Sequence, residues 1–119
     1  PDELPAPRDA RPSAFEVNWR RVARVSELRP GEARRVVLDG IEIALCNVAG
    51  ELYAVDDVCT HAYASLSDGL LSGAEIECPL HGGCFDVRTG RALGGIVSED
   101  LRRFALKVEG DDVLLALGD

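Results

Sequence analysis

Residues 57–90 read DVCTHAYASLSDGLLSGAEIECPLHGGCFDVRTG, and this stretch decides how the chain is read. Its two ends of interest are Cys59-Thr60-His61 and Cys78-Pro79-Leu80-His81, sixteen residues apart. Together they use both histidines of the protein and two of its four cysteines. A soft sulfur paired with an imidazole, twice over, is a metal-binding pattern. Two thiolates and two imidazoles suit a 2Fe-2S cluster with the sulfurs on one iron and the nitrogens on the other. The same four residue types also suit a single tetrahedral zinc, so ligand identity alone leaves the metal open.

Working outward, the flanking residues have two styles. From Trp19, short β-like runs (Trp19–Val25, Arg34–Leu38, Ile41–Val48, Glu51–Val55) are punctuated by Pro30-Gly31, Asp39-Gly40 and Ala49-Gly50, the signature of a meander of hairpins. In the third run Ile41, Ile43 and Leu45 alternate with Glu42, Ala44 and Cys46, the period of two expected when one sheet face is the more deeply buried. Cys46 is expected to pack there as a small apolar side chain. Beyond the metal motifs, Leu101–Glu109 and Val113–Leu117 flank Gly110-Asp111-Asp112 as a further strand pair. No segment has the pattern of a long amphipathic helix. Strands on both sides of a glycine-rich middle predict an all-β, antiparallel β-sandwich or barrel with a loop-rich metal-binding subdomain inserted between its strands. Residues 1–17, with four of the six prolines in the first twelve positions, read as a flexible N-terminal extension to a single domain over 18–119.

Composition narrows the function. The 119 residues are 46% hydrophobic and 29% charged, an ordinary globular balance, and no apolar run reaches the roughly 18 residues of a membrane span. Net charge is -8 and uneven: residues 1–35 carry 8 Arg against 6 Asp or Glu, and residues 36–119 carry 5 Lys or Arg against 15 Asp or Glu. So acidic a body argues against nucleic acid and anionic membranes as partners and favours a basic patch on a protein partner. The cysteines do not form a secreted disulfide framework, which fits a reducing cytoplasm. There is no dinucleotide fingerprint. With both histidines inside the metal motifs, none remains for a separate 2-His-1-carboxylate iron site.

The C-T-H and C-P-L-H-G pairs, the S-L-S-D-G run between them and the F-D-x-x-T-G turn after them resemble the cluster-binding region of a Rieske ferredoxin, here about residues 57–98. The resemblance implies the Rieske fold and one 2Fe-2S cluster held by Cys59 and Cys78 on a buried iron and by His61 and His81 on an outer one. It also implies a role: not an enzyme but a soluble, monomeric one-electron carrier between a flavin-dependent NAD(P)H ferredoxin reductase and the terminal oxygenase of an aromatic-ring dioxygenase system. Alternatives are the Rieske-like small subunit of a multisubunit reductase such as nitrite reductase and a structural zinc module.

The same likeness bears on potential. High-potential relatives join the two loops by a disulfide at the positions of Ala64 and Leu80 and place hydroxyls at those of Gly83 and Phe85. Lacking all of these, the chain is expected in the lower part of the range of about -150 to +300 mV. Gly82 and Gly83 let the main chain approach the cluster. Where many relatives carry a proline loop, this chain has Leu93-Gly94-Gly95-Ile96-Val97, with Ile96 as the expected apolar cover. Cys84, three residues past His81, is read as a spare cysteine rather than a fifth ligand, and a Cys46–Cys84 disulfide is not expected.

Overall fold

The structure is a computed structural model, described here for residues 18–60, 63–80, 82–94 and 97–117. Among the described residues ten antiparallel strands form three small sheets, with two 3-10 turns at Val25–Glu27 and Leu66–Asp68. Strands β1 (Arg20–Arg24), β9 (Ala105–Glu109) and β10 (Asp112–Ala116) make one sheet in the order β1-β10-β9. Strands β2 (Ala33–Leu38), β3 (Ile41–Val48) and β4 (Glu51–Asp56) make the second. The third, in the order β5-β6-β7-β8, comprises Leu70–Ser72, Glu75–Glu77, Cys84–Asp86 and Ala92–Gly94.

The β2–β3 and β3–β4 hairpins turn on two residues each. Asp39 and Gly40 have φ of 53° and 80°, and Ala49 and Gly50 have 54° and 99°. Left-handed pairs match the right-handed strand twist, which is why Asp-Gly serves so well and why alanine at position 49 is strained. The second turn is held by buried Asn47, whose Oδ1 accepts from Gly50 N at 2.7 Å while its Nδ2 donates to Leu28 O at 2.8 Å. Both polar ends of the buried amide are therefore satisfied.

The apolar residues collect in two cores that share β3 as a wall. Ile43 and Leu45 face a core with Ala23, Phe104, Val113 and Leu115. Ala44 and Cys46 face the other, with Val55, Cys59, Leu66, Cys78 and Phe85. The expectation of one deeply buried face is thus corrected: Ile43, Ala44, Leu45 and Cys46 are all fully buried, because a sheet packs on each side of β3. The alternation reports small against large side chains. Ala44 and Cys46 leave room on the side where the metal loops pack.

Two further expectations change. Leu101–Phe104 is not part of β9. It runs beside β4 through spaced contacts (Phe104 N to Ala54 O, Asp56 N to Arg102 O, and an isolated Val55–Arg103 bridge), because it must cross from the third sheet to the first. The middle is also less loop-like than its glycines suggest. Its four strands are three residues each, too short for periodicity to register in the sequence.

Candidate metal centre

The first metal loop leaves the end of β4 and is closed by its own main chain. Asp57 N donates to Glu42 O at 3.0 Å, extending the β3–β4 ladder by one residue, and Asp57 O accepts from Leu66 N at 2.7 Å. Within that ring Val58 bridges Ser65, and Cys59 N donates to Ala64 O at 3.0 Å. The Asp57 carboxylate adds a fastening, Oδ1 accepting from Ser67 N at 2.8 Å. Cys59 therefore sits on a loop whose two strands are tied by three hydrogen bonds.

The second loop joins β6 to β7 and is tighter. Cys78 N donates to Gly83 O at 2.7 Å, and Leu80 N points at Cys78 Sγ at 3.4 Å, a donor aimed at the sulfur. Gly82 takes φ of 72°, a left-handed conformation that lets the chain turn back into β7. The β5–β6 pairing brings the end of the first loop against the start of the second, so closely that any Cβ on Gly69 would run into the Glu77 carbonyl. A third segment closes the side: Thr60 Oγ1 donates to Glu99 O at 2.9 Å, and Val97 lies so close that a Cβ on Gly83 would be 2.5 Å from its Cγ1.

These fastenings bring Cys59 and Cys78 together, 4% and 1% exposed, in the same core. Burial pushes the Cys78 thiol up, the Leu80 N–H pulls it partly back, and the neighbouring Cys59 thiol raises it further. So placed, the Cys78 thiol gives up its proton reluctantly, and a cation supplies the compensation it lacks. His61 and His81 lie outside the described residues. Beside them along the chain, Tyr63 and Leu80 are exposed. Among the described residues no three His, Cys, Asp or Glu side chains form a metal cluster, so the two sulfurs are the described half of the motif.

The other cysteines behave differently. All four are free, so Cys46 and Cys84 are not joined. Cys46 packs in the core as expected, its thiol raised to about 12 by burial first and by Asp57 second. Cys84 is half-buried on β7 with Sγ 3.6 Å from Gly82 O, its thiol raised by burial and then by Glu77 and Glu75. Phe85 is fully buried opposite Ile76. The apolar cover among the described residues is Val97, one position beyond Ile96, which with Gly95 lies outside them. Sequence reading missed Val97 and Asp57. Their only signals were an apolar residue after a glycine pair and an acid two positions before a ligand cysteine.

Two buried cysteines meeting from two tied loops above a β scaffold suit a metal site, and comparison with known proteins identifies its class. Residues 18–105 match the Rieske [2Fe-2S] domain, and the chain belongs to that family. It is 46% identical over 99 residues to the ferredoxin component of the naphthalene 1,2-dioxygenase system of Pseudomonas aeruginosa, covering 83% of this chain and 95% of that one. Among solved structures it resembles the ferredoxin of Sphingomonas yanoikuyae B1, with 34% identity, a TM-score of 0.80 and coverage of 83% and 98%. It also matches a chain in the complex of reduced oxygenase and oxidized ferredoxin in carbazole 1,9a-dioxygenase, with 40% identity, a TM-score of 0.80 and coverage of 84% and 94%. A Rieske 2Fe-2S cluster is accordingly the protein's cofactor.

Proposed function

We propose that Cys59 and Cys78 hold the inner iron of this cluster, that His61 and His81 hold the outer one, and that Cys84 is not a ligand. The observation that carries the assignment is the meeting of two buried thiols from separately fastened loops, each followed within three residues by one of the two histidines. When bound, the cluster accepts and returns one electron. The chain's own part is to hold the sulfurs dry, aim the Leu80 N–H at one of them, and cover one flank with Val97. Its relatives are ferredoxin components, and this chain is an electron carrier rather than a catalyst.

The carrier takes electrons from a flavin-dependent NAD(P)H reductase and passes them to the terminal oxygenase of an aromatic-ring dioxygenase system in the cytoplasm. The reductase is inferred from this role. The oxygenase is supported by the solved ferredoxin–oxygenase complex of a similar protein. No helix among the described residues is long and apolar enough to cross a membrane. The domain extends over 18–119, since β1 near its start pairs with β10 near its end. Absent hydroxyls at Gly83 and Phe85 support a potential in the lower part of the Rieske range.

Iron and acid-labile sulfide analysis with electron paramagnetic resonance of the reduced protein tests the ligand assignment. Cys59→Ser, Cys78→Ser, His61→Ala and His81→Ala should each lose the native signal, and Cys84→Ser should keep it. A Cys84→Ser protein without a cluster, or a native signal in any of the other four, would refute it.

A further inference from the structure

We propose that the seam between β4 and β9 takes an extended acidic segment of a protein partner as an added strand. Each of these strands is an outer edge of its sheet, β4 in the order β2-β3-β4 and β9 in the order β1-β10-β9. They meet at one end only: Asp56 N donates to Arg102 O and Phe104 N to Ala54 O, each at 3.0 Å, and Val55 bridges Arg103. Beyond that point they splay. Main-chain groups alternate in direction along a strand, so Leu52 on β4 faces outward as Ala54 and Asp56 do, and Leu106 and Val108 on β9 face outward as Phe104 does. No main-chain bond among the described residues joins Leu52 to Leu106. A groove of about 470 Å³ opens there and continues past Leu52 and Leu106 into a second of about 440 Å³ that reaches Gly50 and Val108.

Two bare edges facing one gap are a template for a further strand unless something covers them, and among the described residues Val108 at the gap is 46% exposed. The lining names the occupant. Residues 36–119 hold 5 Lys or Arg against 15 Asp or Glu, yet three of those cations, Arg88, Arg103 and Lys107, line the seam beside one of the acids, Glu51. Glu51 is already engaged, accepting from the Tyr53 hydroxyl at 2.9 Å. Arg88 and Lys107 are shared with Asp86 and Glu109, whereas Arg103 has no carboxylate partner among the described residues and donates through Nη1 to Arg88 O. Leu52, Leu106 and Phe104 supply apolar surface between these charges. An extended peptide that alternates carboxylates with apolar side chains fits both features: the edges bond its main chain, and the arginines select its charge. A basic strand would meet three like charges. Leu52 lies about 16 Å along β4 from Asp57, where the first metal loop begins, so the added strand runs away from the metal loops.

The test titrates the full-length, cluster-loaded protein into a fluorescein-labelled alternating Glu-Val peptide and into its Lys-Val counterpart, read by fluorescence anisotropy, with amide hydrogen exchange locating the contact. The Glu-Val peptide should bind, lose affinity several-fold as salt is raised from about 0.05 to about 0.5 M, and slow exchange at Leu52, Leu106 and Val108. The Lys-Val peptide should not bind. Arg103→Glu turns an exposed attraction into a repulsion and should weaken binding about tenfold. Val108→Pro removes a donor that faces the seam and none that faces β10, and should weaken it at least as much. Both variants should keep the native iron and sulfide content, and Arg103→Glu decides alone if Val108→Pro does not fold. No binding of the Glu-Val peptide, equal binding to the native chain and to Arg103→Glu, or protection away from the seam overturns the proposal. So do seam amides that exchange slowly before any peptide is added, which would mark the seam as already filled by residues 1–17 or by a second copy.

Discussion

Gly83→Ala is the sharpest probe of how the flank of the centre is built. The new Cβ would lie 2.5 Å from Val97 Cγ1, about 1 Å short of the roughly 3.5 Å that two carbons accept. Val97 is buried and β-branched, so it cannot rotate away freely, and its segment is tethered through the Thr60–Glu99 bond. Overpacking of this kind costs about 1–3 kcal/mol, and stiffening the unfolded chain at a former glycine returns up to about 1 kcal/mol. A net loss of about 1–2 kcal/mol is expected. Val97→Ala alone removes two buried methyl groups, worth about 0.8 kcal/mol each, and leaves a small cavity, for a loss of about 2 kcal/mol. In the double variant the clash is gone and the new methyl partly fills the space. Its loss should be no larger than that of Val97→Ala, a coupling of about 1–2 kcal/mol. The assay is the thermal midpoint of cluster-loaded protein at one scan rate, where each kcal/mol moves a domain of this size by about 4–8 °C. If the two single shifts simply add in the double variant, Val97 does not press on Gly83 and the account of the flank is wrong.

Further outcomes follow from other parts of the fold. Ala49→Asn should raise the thermal midpoint by a few degrees, about 0.5–1 kcal/mol, because asparagine accepts the left-handed conformation held at φ 54°. Thr60→Val removes the tie to Glu99 O and should speed cluster loss, followed as bleaching of visible absorbance at fixed temperature, while leaving potential little changed. Asp86, held below the usual carboxylate range chiefly by Arg88, adds stability that is present above the unfolded carboxylate value near 4 and disappears as pH falls through the lower folded value. Denaturation midpoints of Arg88→Ala should therefore fall less steeply between pH 5 and 2 than those of the native chain.

Much of the fold was legible because the outer strands are long enough to be periodic and are separated by Asp39-Gly40 and Ala49-Gly50, whose turn chemistry speaks for itself. β3 was found with its bounds, Ile41–Val48, yet its environment was misjudged. A strand with a sheet on each side buries both faces, and only the size difference between Ile43 or Leu45 and Ala44 or Cys46 hinted at it. The third sheet escaped notice since three-residue strands such as Glu75–Glu77 are defined by partners, not by pattern. At the centre, the cysteines and histidines announced themselves by type and spacing. Asp57 and Val97 did not, because what they do depends on what stands opposite: a fully buried acid and an ordinary valine look alike in sequence whether they face water or a metal loop.

Cys46 gives the last test, and it asks whether the core beside the metal loops is as dry as the centre requires. Its thiol is raised from 9.0 to about 12, first by burial and then by the Asp57 charge, so the folded protein keeps a proton that the unfolded chain releases earlier. The sign follows from that difference: below about pH 9 the contribution is complete, and as pH rises towards 12 the unfolded state binds fewer protons and stability falls by about 1.4 kcal/mol per pH unit from this group. Cys46→Ala keeps a small apolar side chain on the same face and removes the titrating group. Its stability below pH 9 should drop by the modest cost of a lost sulfur, while its decline between pH 9 and 11, read from denaturant midpoints against the native protein, should be distinctly shallower. Parallel curves for the two proteins would mean that the thiol ionises in the folded state as readily as in water, and a core that admits so much solvent could not keep Cys59 and Cys78 dry.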